Sequence, residues 1–197
     1  SETIENYPGF PGGISTHELM GRMEEQVKEL GIKIISEEVL DLDCVSKTVN
    51  TSGGAHQTQS VIIASGARSR KLNIPGEEQY TGRGVSYCAT CDAPFFKGKK
   101  VVIVGGGNAV AEEAIYLSRF ADPVTVINRR SDLRASPILQ ERMRQNPKIN
   151  FKLNSIVTQI KGSQKVESVT VKDLLSGQEN DFACDGVFVY IGYEPDT

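Results

Sequence analysis

The 197-residue sequence has no tryptophan and only four cysteines. So few thiols rule out a small secreted scaffold held by disulfides. Long apolar runs are also missing: Val61-Ile62-Ile63-Ala64 and Val101-Val102-Ile103-Val104 are strand-sized, against the roughly 20 residues of a membrane-spanning helix. No long Lys/Arg run is present, and 22 basic against 25 acidic residues give a formal charge of −3. A nucleic-acid face or an anionic membrane partner is therefore not expected. The first residue is Ser rather than Met, and no charged segment leading into an apolar one follows it, so targeting is left open at this end. What remains is ordinary globular composition, with 39% hydrophobic and 24% charged residues and a length that accommodates one domain or two small ones.

The pattern changes along the chain. Ser15-Thr16-His17-Glu18 has the form of a capping box, with Leu19, Met23, Val27 and Leu30 at helical spacing and Gly31 as the stop. Strand-like runs follow at Ile32 to Ile35, Val39 to Leu42, Lys47 to Thr51 and Val61 to Ala64. A turn-rich stretch through Pro75-Gly76 and Gly82-Arg83-Gly84 suggests a domain boundary near Gly84. Beyond it, strand Val101 to Val104, helix Asn108 to Phe120, strand Val124 to Ile127, helix Pro137 to Gln145 and strand Ile149 to Leu153 predict a βαβαβ unit with a parallel sheet. Ile156 to Lys161, Val166 to Asp173 and Asp181 to Cys184 read as an antiparallel meander, and Val187 to Ile191 as a last buried strand. The fold class is α/β.

Gly105-Gly106-Gly107-Asn108 joins the first of these strands to an Ala-rich helix, the context of a dinucleotide fingerprint. Gly105 permits the tight turn, Gly107 lets the backbone approach a pyrophosphate, and the helix N-terminus offers amides to its charge. Val110 stands where Gly or Ala is usual. An acidic residue for a ribose 2′-hydroxyl belongs at the end of the second strand. That position instead reads Asn128-Arg129-Arg130, with Arg134 further on. Paired guanidiniums suit a phosphate dianion, so NADPH is expected rather than NADH; a solvated basic turn is the plainer reading.

Cys88-Ala89-Thr90-Cys91 precedes the nucleotide strand, with Asp92 beside the second thiol. A two-residue spacer lets two thiols close a small ring, and such pairs are reactive; the adjacent carboxylate is placed to relay protons. Half a zinc site and two inert buried thiols are the alternatives. Cys44 and Cys184 form no second close pair, and both sit in strand-like sequence as small buried hydrophobes. Electron flow from NADPH to a disulfide needs a mediator, normally a flavin.

Together these residues resemble the low-molecular-weight thioredoxin reductase family. Cys88-Ala89-Thr90-Cys91-Asp92 is similar to its redox motif, Gly105-Gly106-Gly107-Asn108 to its NADPH loop, and Asn128-Arg129-Arg130 with Arg134-Ala135 to its phosphate motif, Asn128 replacing His. Ala93-Pro94 stands where Gly often follows the Asp. Glu5-Asn6-Tyr7-Pro8-Gly9, Ala64-Ser65-Gly66-Ala67 and Gly192-Tyr193-Glu194-Pro195-Asp196 resemble segments around its flavin. The resemblance implies a complete Rossmann-like NADPH domain, parallel sheet plus β-meander, over residues 85–192. It also implies part of an FAD-binding Rossmann-like domain over residues 1–84, with 193–197 returning to it. The family's FAD fingerprint is expected before Ser1 and its Gly-Asp flavin motif after Thr197, so the chain reads as an excerpt. It further implies NADPH at Gly105, Gly107, Asn108, Arg129, Arg130 and Arg134, and FAD near Asn6, Ala64, Ser65 and Gly66. Cys91 would face the flavin, Cys88 would attack the disulfide of thioredoxin, and Asp92 would serve as acid and base. A cytoplasmic homodimer, with hinges at Gly82-Arg83-Gly84 and Gly192-Tyr193, completes the expectation. An alkyl hydroperoxide reductase flavoprotein subunit is the competing enzyme, and an inactive NADPH-binding fragment the competitor of another class.

Overall fold

The computed structural model describes residues 3–4 and 7–196, which divide into two compact units, residues 1–63 and 64–197. In the first, β1 (Thr3–Ile4) pairs with β2 (Ile14–Ser15), and α1 (Thr16–Glu29) follows directly. The Ser15 hydroxyl accepts a hydrogen bond from Glu18 N–H. The Glu18 carboxylate does not reach back to the cap; it takes Arg22 one turn on, at 2.6 Å, so only half the expected box forms. Next come β3 (Val39–Asp43), β4 (Thr48–Thr51) and β5 (Gly54–Gln57), an antiparallel meander.

Two expected strands are not strands. Ile32 to Ile35 and Val61 to Ala64 have no ladder partners among the described residues, and Ile62 is 92% exposed. Apolar character alone does not make a strand, because its backbone groups need a neighbour to bond. Cys44 is also exposed rather than buried; it lies in the turn between β3 and β4, outside the strand.

The second unit begins with β6 (Ala67–Ser69), the short helix α2 (Glu77–Tyr80), β7 (Val85–Ser86), the short helix α3 (Ala89–Asp92) and a 3₁₀ turn at Ala93–Phe96. There follow β8 (Val101–Gly105), α4 (Asn108–Leu117), β9 (Val124–Ile127), α5 (Pro137–Arg144) and β10 (Ile149–Lys152). The chain then forms β11 (Ser155–Gly162), β12 (Val166–Asp173), β13 (Glu179–Ala183), β14 (Gly186–Tyr190) and β15 (Tyr193–Pro195). Strands β10-β9-β8-β14-β7 make a parallel sheet, and β11-β12-β13 an antiparallel one.

Both faces of the parallel sheet are covered, which explains its continuous apolar runs. Val101, Ile103, Val124, Val126 and Phe188 pack with Ala111, Ala114 and Leu117 of α4 and Met143 of α5. The alternate residues Val102, Val104, Val187 and Val189 meet Val157, Ile160, Val169 and Val171 of the meander. Period-two alternation thus feeds two cores from one strand. Cys184 lies in the second core, where burial pushes its thiol up to about 12, with the charge of Asp185 adding to the effect. It is a packing residue.

Gly82-Arg83-Gly84, expected to hinge, is stitched into this unit. Gly82 N–H donates to Val85 O, Val166 N–H to Arg83 O and Val187 N–H to Gly84 O, at 2.8–3.0 Å. These bonds tie the turn to both sheets of the unit. By contrast β15 returns antiparallel to β6, with Arg68 paired to Asp196 and Arg70 to Glu194 across the ladder.

Candidate nucleotide and redox site

The carboxyl ends of β8, β9 and β14 carry the nucleotide candidates, the edge at which open α/β sheets bind ligands. Gly105 ends β8 at φ +137°, and a Cβ there would collide with the Tyr190 carbonyl oxygen and come 2.7 Å from Val110 Cγ2. Val110, at the third fingerprint position, therefore packs directly against the first glycine. Gly105→Ala should destabilise the chain by at least about 2 kcal/mol, since strained backbone and a backbone clash combine. Thermal denaturation is the check, with a fall of roughly 5 °C or more expected.

Gly107 caps α4 and would meet nothing within 4 Å if it carried a Cβ. Its open face leaves the first amides of α4 accessible to a phosphate. Asn108 Oδ1 accepts from Ser136 N–H at 2.8 Å, and Gly106 O accepts from Arg134 N–H and Ala135 N–H. The glycine loop and the arginine loop are thus one hydrogen-bonded body. Asn128, buried at the end of β9, donates through Nδ2 to Arg130 O (3.2 Å) and Asp132 O (3.0 Å). The residue that replaces His folds the arginine loop back on itself.

Arg129, Arg130 and Arg134 are all exposed. Among the described residues none of the three guanidiniums has a carboxylate partner. Unpaired guanidiniums beside a glycine loop and a helix N-terminus fit a phosphorylated dinucleotide.

Cys88 and Cys91 are joined by a disulfide, their Cα atoms 5.3 Å apart. Cys88 caps α3, its Sγ accepting from Cys91 N–H at 3.2 Å. The Ser86 hydroxyl holds Cys88 from the other side, accepting from its N–H and donating to its carbonyl, both at 3.1 Å. Cys91 is exposed, while Cys88 and Asp92 are half-buried. Asp92 lines a cleft with Ser86, Phe95, Phe96 and Lys99. On the inner side Ala89 and Ala93 pack into the core that holds Val110, Ala111 and Ala114 of the nucleotide helix.

Of the flavin candidates, Asn6 lies outside the described residues. Ala64, Ser65 and Gly66 are exposed; Gly66 adopts φ +79° with open space where a Cβ would stand. A bare backbone surface of that kind fits the approach of a flat ring. One residue at the site escaped the sequence: Tyr190, whose hydroxyl reaches Ala89 N–H at 2.7 Å across 101 positions. Read from sequence, it was one more residue of a buried strand.

The chain belongs to the pyridine nucleotide-disulphide oxidoreductase family, whose model matches residues 1–197. Among its relatives, thioredoxin reductase of Treponema pallidum is 45% identical, aligned over all of this chain and 64% of the relative. That of Mycolicibacterium smegmatis is 47% identical, over 98% of this chain and 62% of the relative. The Lactococcus lactis thioredoxin reductase structure (FR conformation) superposes with a TM-score of 0.84 at 42% identity, covering 98% of this chain and 64% of that one. The chain spans rather less than two thirds of the length of these relatives, and the α/β fold with its parallel sheet is theirs.

Proposed function

We propose that this chain is the nucleotide-binding and disulfide-carrying portion of an NADPH-dependent thioredoxin reductase, and that its Cys88–Cys91 pair passes electrons to the disulfide of thioredoxin. The observation that carries this reading is the packing of a redox-type disulfide helix against the same core as a nucleotide loop flanked by three arginines that have no carboxylate partner among the described residues. Residues 85–192 form the NADPH domain. Residues 1–84, with 193–197 returning through the β6–β15 ladder, supply part of an FAD domain.

Gly105, Gly107, Asn108, Arg129, Arg130 and Arg134 hold NADPH: the loop and helix amides take the pyrophosphate, the guanidiniums the 2′-phosphate. Ala64, Ser65 and Gly66 contribute to the FAD site. When bound, FAD supplies the two-electron chemistry that links a hydride donor to a disulfide. The reduced Cys88 thiolate attacks the thioredoxin disulfide, breaking its S–S bond and forming a mixed disulfide. Cys91 then attacks the Cys88 sulfur, releasing the second thioredoxin thiolate and restoring the ring. Asp92 gives and takes the proton. A cytoplasmic homodimer suits this activity, and no helix among the described residues is long and apolar enough to cross a membrane.

The test needs no flavin. The chain is reduced with a small dithiol, freed of it, and mixed with oxidised thioredoxin while NADPH binding is measured by calorimetry. One thioredoxin disulfide reduced per chain is expected. NADPH binding with thioredoxin left oxidised would mean a nucleotide module without this acceptor.

A further inference from the structure

Tyr190 stands in register with Gly105 at the end of β14, and its two ends serve two parts of the site. Its carbonyl oxygen fills the space that a Cβ on Gly105 would need. Its hydroxyl points to the redox helix and accepts from Ala89 N–H at 2.7 Å. Ala89 lies between the two cysteines, is fully buried and opens α3. The first N–H of a helix has no partner within it, and a buried one left bare carries an uncompensated desolvation cost. The phenol supplies that partner and stays protonated at ordinary pH: burial, above all, pushes it up to about 12, and the Glu113 charge on α4 adds to this. The next N–H that matters, that of Cys91, holds Cys88 Sγ. Fixing the start of α3 therefore fixes both sulfurs.

We propose that Tyr190 is a positioning residue for disulfide interchange, its hydroxyl holding the first turn of α3 so that the Cys91 sulfur meets the Cys88 sulfur when the ring closes. This rests on the redox role assigned above to the pair.

The step is intramolecular, and its rate depends on how narrowly the two sulfurs are held. An aromatic disulfide such as DTNB resolves it. The Cys88 thiolate attacks the probe, its S–S bond breaks and one aromatic thiolate leaves. The Cys91 thiolate then attacks Cys88 Sγ and expels the second. Two protein thiols are oxidised, one probe molecule is reduced to two thiolates, and the thiol protons pass to solvent.

The full chain is used in a Cys44→Ser background, because Cys44 is exposed while Cys184 is buried. Tyr190→Phe removes the hydroxyl and keeps the ring. Release of the second thiolate should slow roughly tenfold, while the first, bimolecular release and the NADPH affinity stay within about twofold. Closure at the parent rate, or equal slowing of both steps, would overturn the assignment, the latter pointing to general loosening. A parent chain that never releases the second thiolate would overturn the redox reading itself, and this inference with it. Independently of any variant, the Ala89 amide of the unsubstituted chain should resist hydrogen exchange despite its place at the start of a helix. Exchange as fast as that of exposed Thr90 would refute the hydroxyl contact.

Discussion

Cys88→Ser and Cys91→Ser should each abolish thioredoxin reduction, and they should do so in distinguishable ways. The serine at 88 removes the attacking sulfur, so the reduced chain forms no adduct with thioredoxin. The serine at 91 leaves the attack intact but removes the group that resolves it. A stable one-to-one mixed disulfide through Cys88 should then accumulate, visible by non-reducing electrophoresis or intact mass. Neither change touches a hydrogen bond of the nucleotide loop, so NADPH affinity should hold within about twofold, as for sites without shared partners. If Cys88→Ser traps the adduct and Cys91→Ser does not, the two roles are reversed. If either variant turns over at the parent rate, the pair is not the redox centre. The structure leaves Cys91 the more open of the two, while the resemblance assigns the attack to Cys88.

The second large effect is expected at the arginine loop. Replacing Arg129 and Arg130 together by Ala removes two exposed guanidiniums that have no partner of their own among the described residues. No internal ion pair is lost, so stability should change little. The loss falls on the ligand. At about 1.5 kcal/mol for each charge-assisted bond, NADPH affinity should drop on the order of 100-fold, and solvent screening reduces this toward 10-fold. NADH, without the 2′-phosphate, should lose no more than about threefold, and the NADPH deficit should narrow as salt rises. Titration calorimetry with both nucleotides at two salt concentrations decides it. Equal loss for the two would show that the arginines do not hold the phosphate.

How far the sequence could be read depended on whether each signal was local. The parallel sheet was legible because Val101-Val102-Ile103-Val104 and Val124 to Ile127 are buried on both faces and so are apolar without a break. The meander was legible from the alternation in Val166 to Asp173, with turns at Gly162-Ser163 and Ser176-Gly177. The glycine loop, the arginines and the CxxC are contiguous strings whose spacing carries their chemistry. Ile32 to Ile35 and Val61 to Ala64 were misread because a strand exists only with a neighbour, and a neighbour is not a local property. Cys44 was misread by a residue or two at a strand end, where the chain turns out to solvent.

From the residues alone come the α/β class and the strings on which the proposal rests: the glycine loop, the arginines suited to a phosphorylated nucleotide and the CxxC pair. Each of these is written in neighbouring residues whose dihedral limits, charges and reactivities act at short range. The tertiary structure decided which turn is stitched between two sheets and which ladder is left to join residues 67–69 to 193–195. It also decided that Asn128 folds the arginine loop and that Tyr190 reaches the first amide of the redox helix. The Asn128 bonds are short-range and depend on how the loop folds, whereas the Tyr190 contact joins positions 101 residues apart, and only the sheet that sets Tyr190 beside Gly105 makes it.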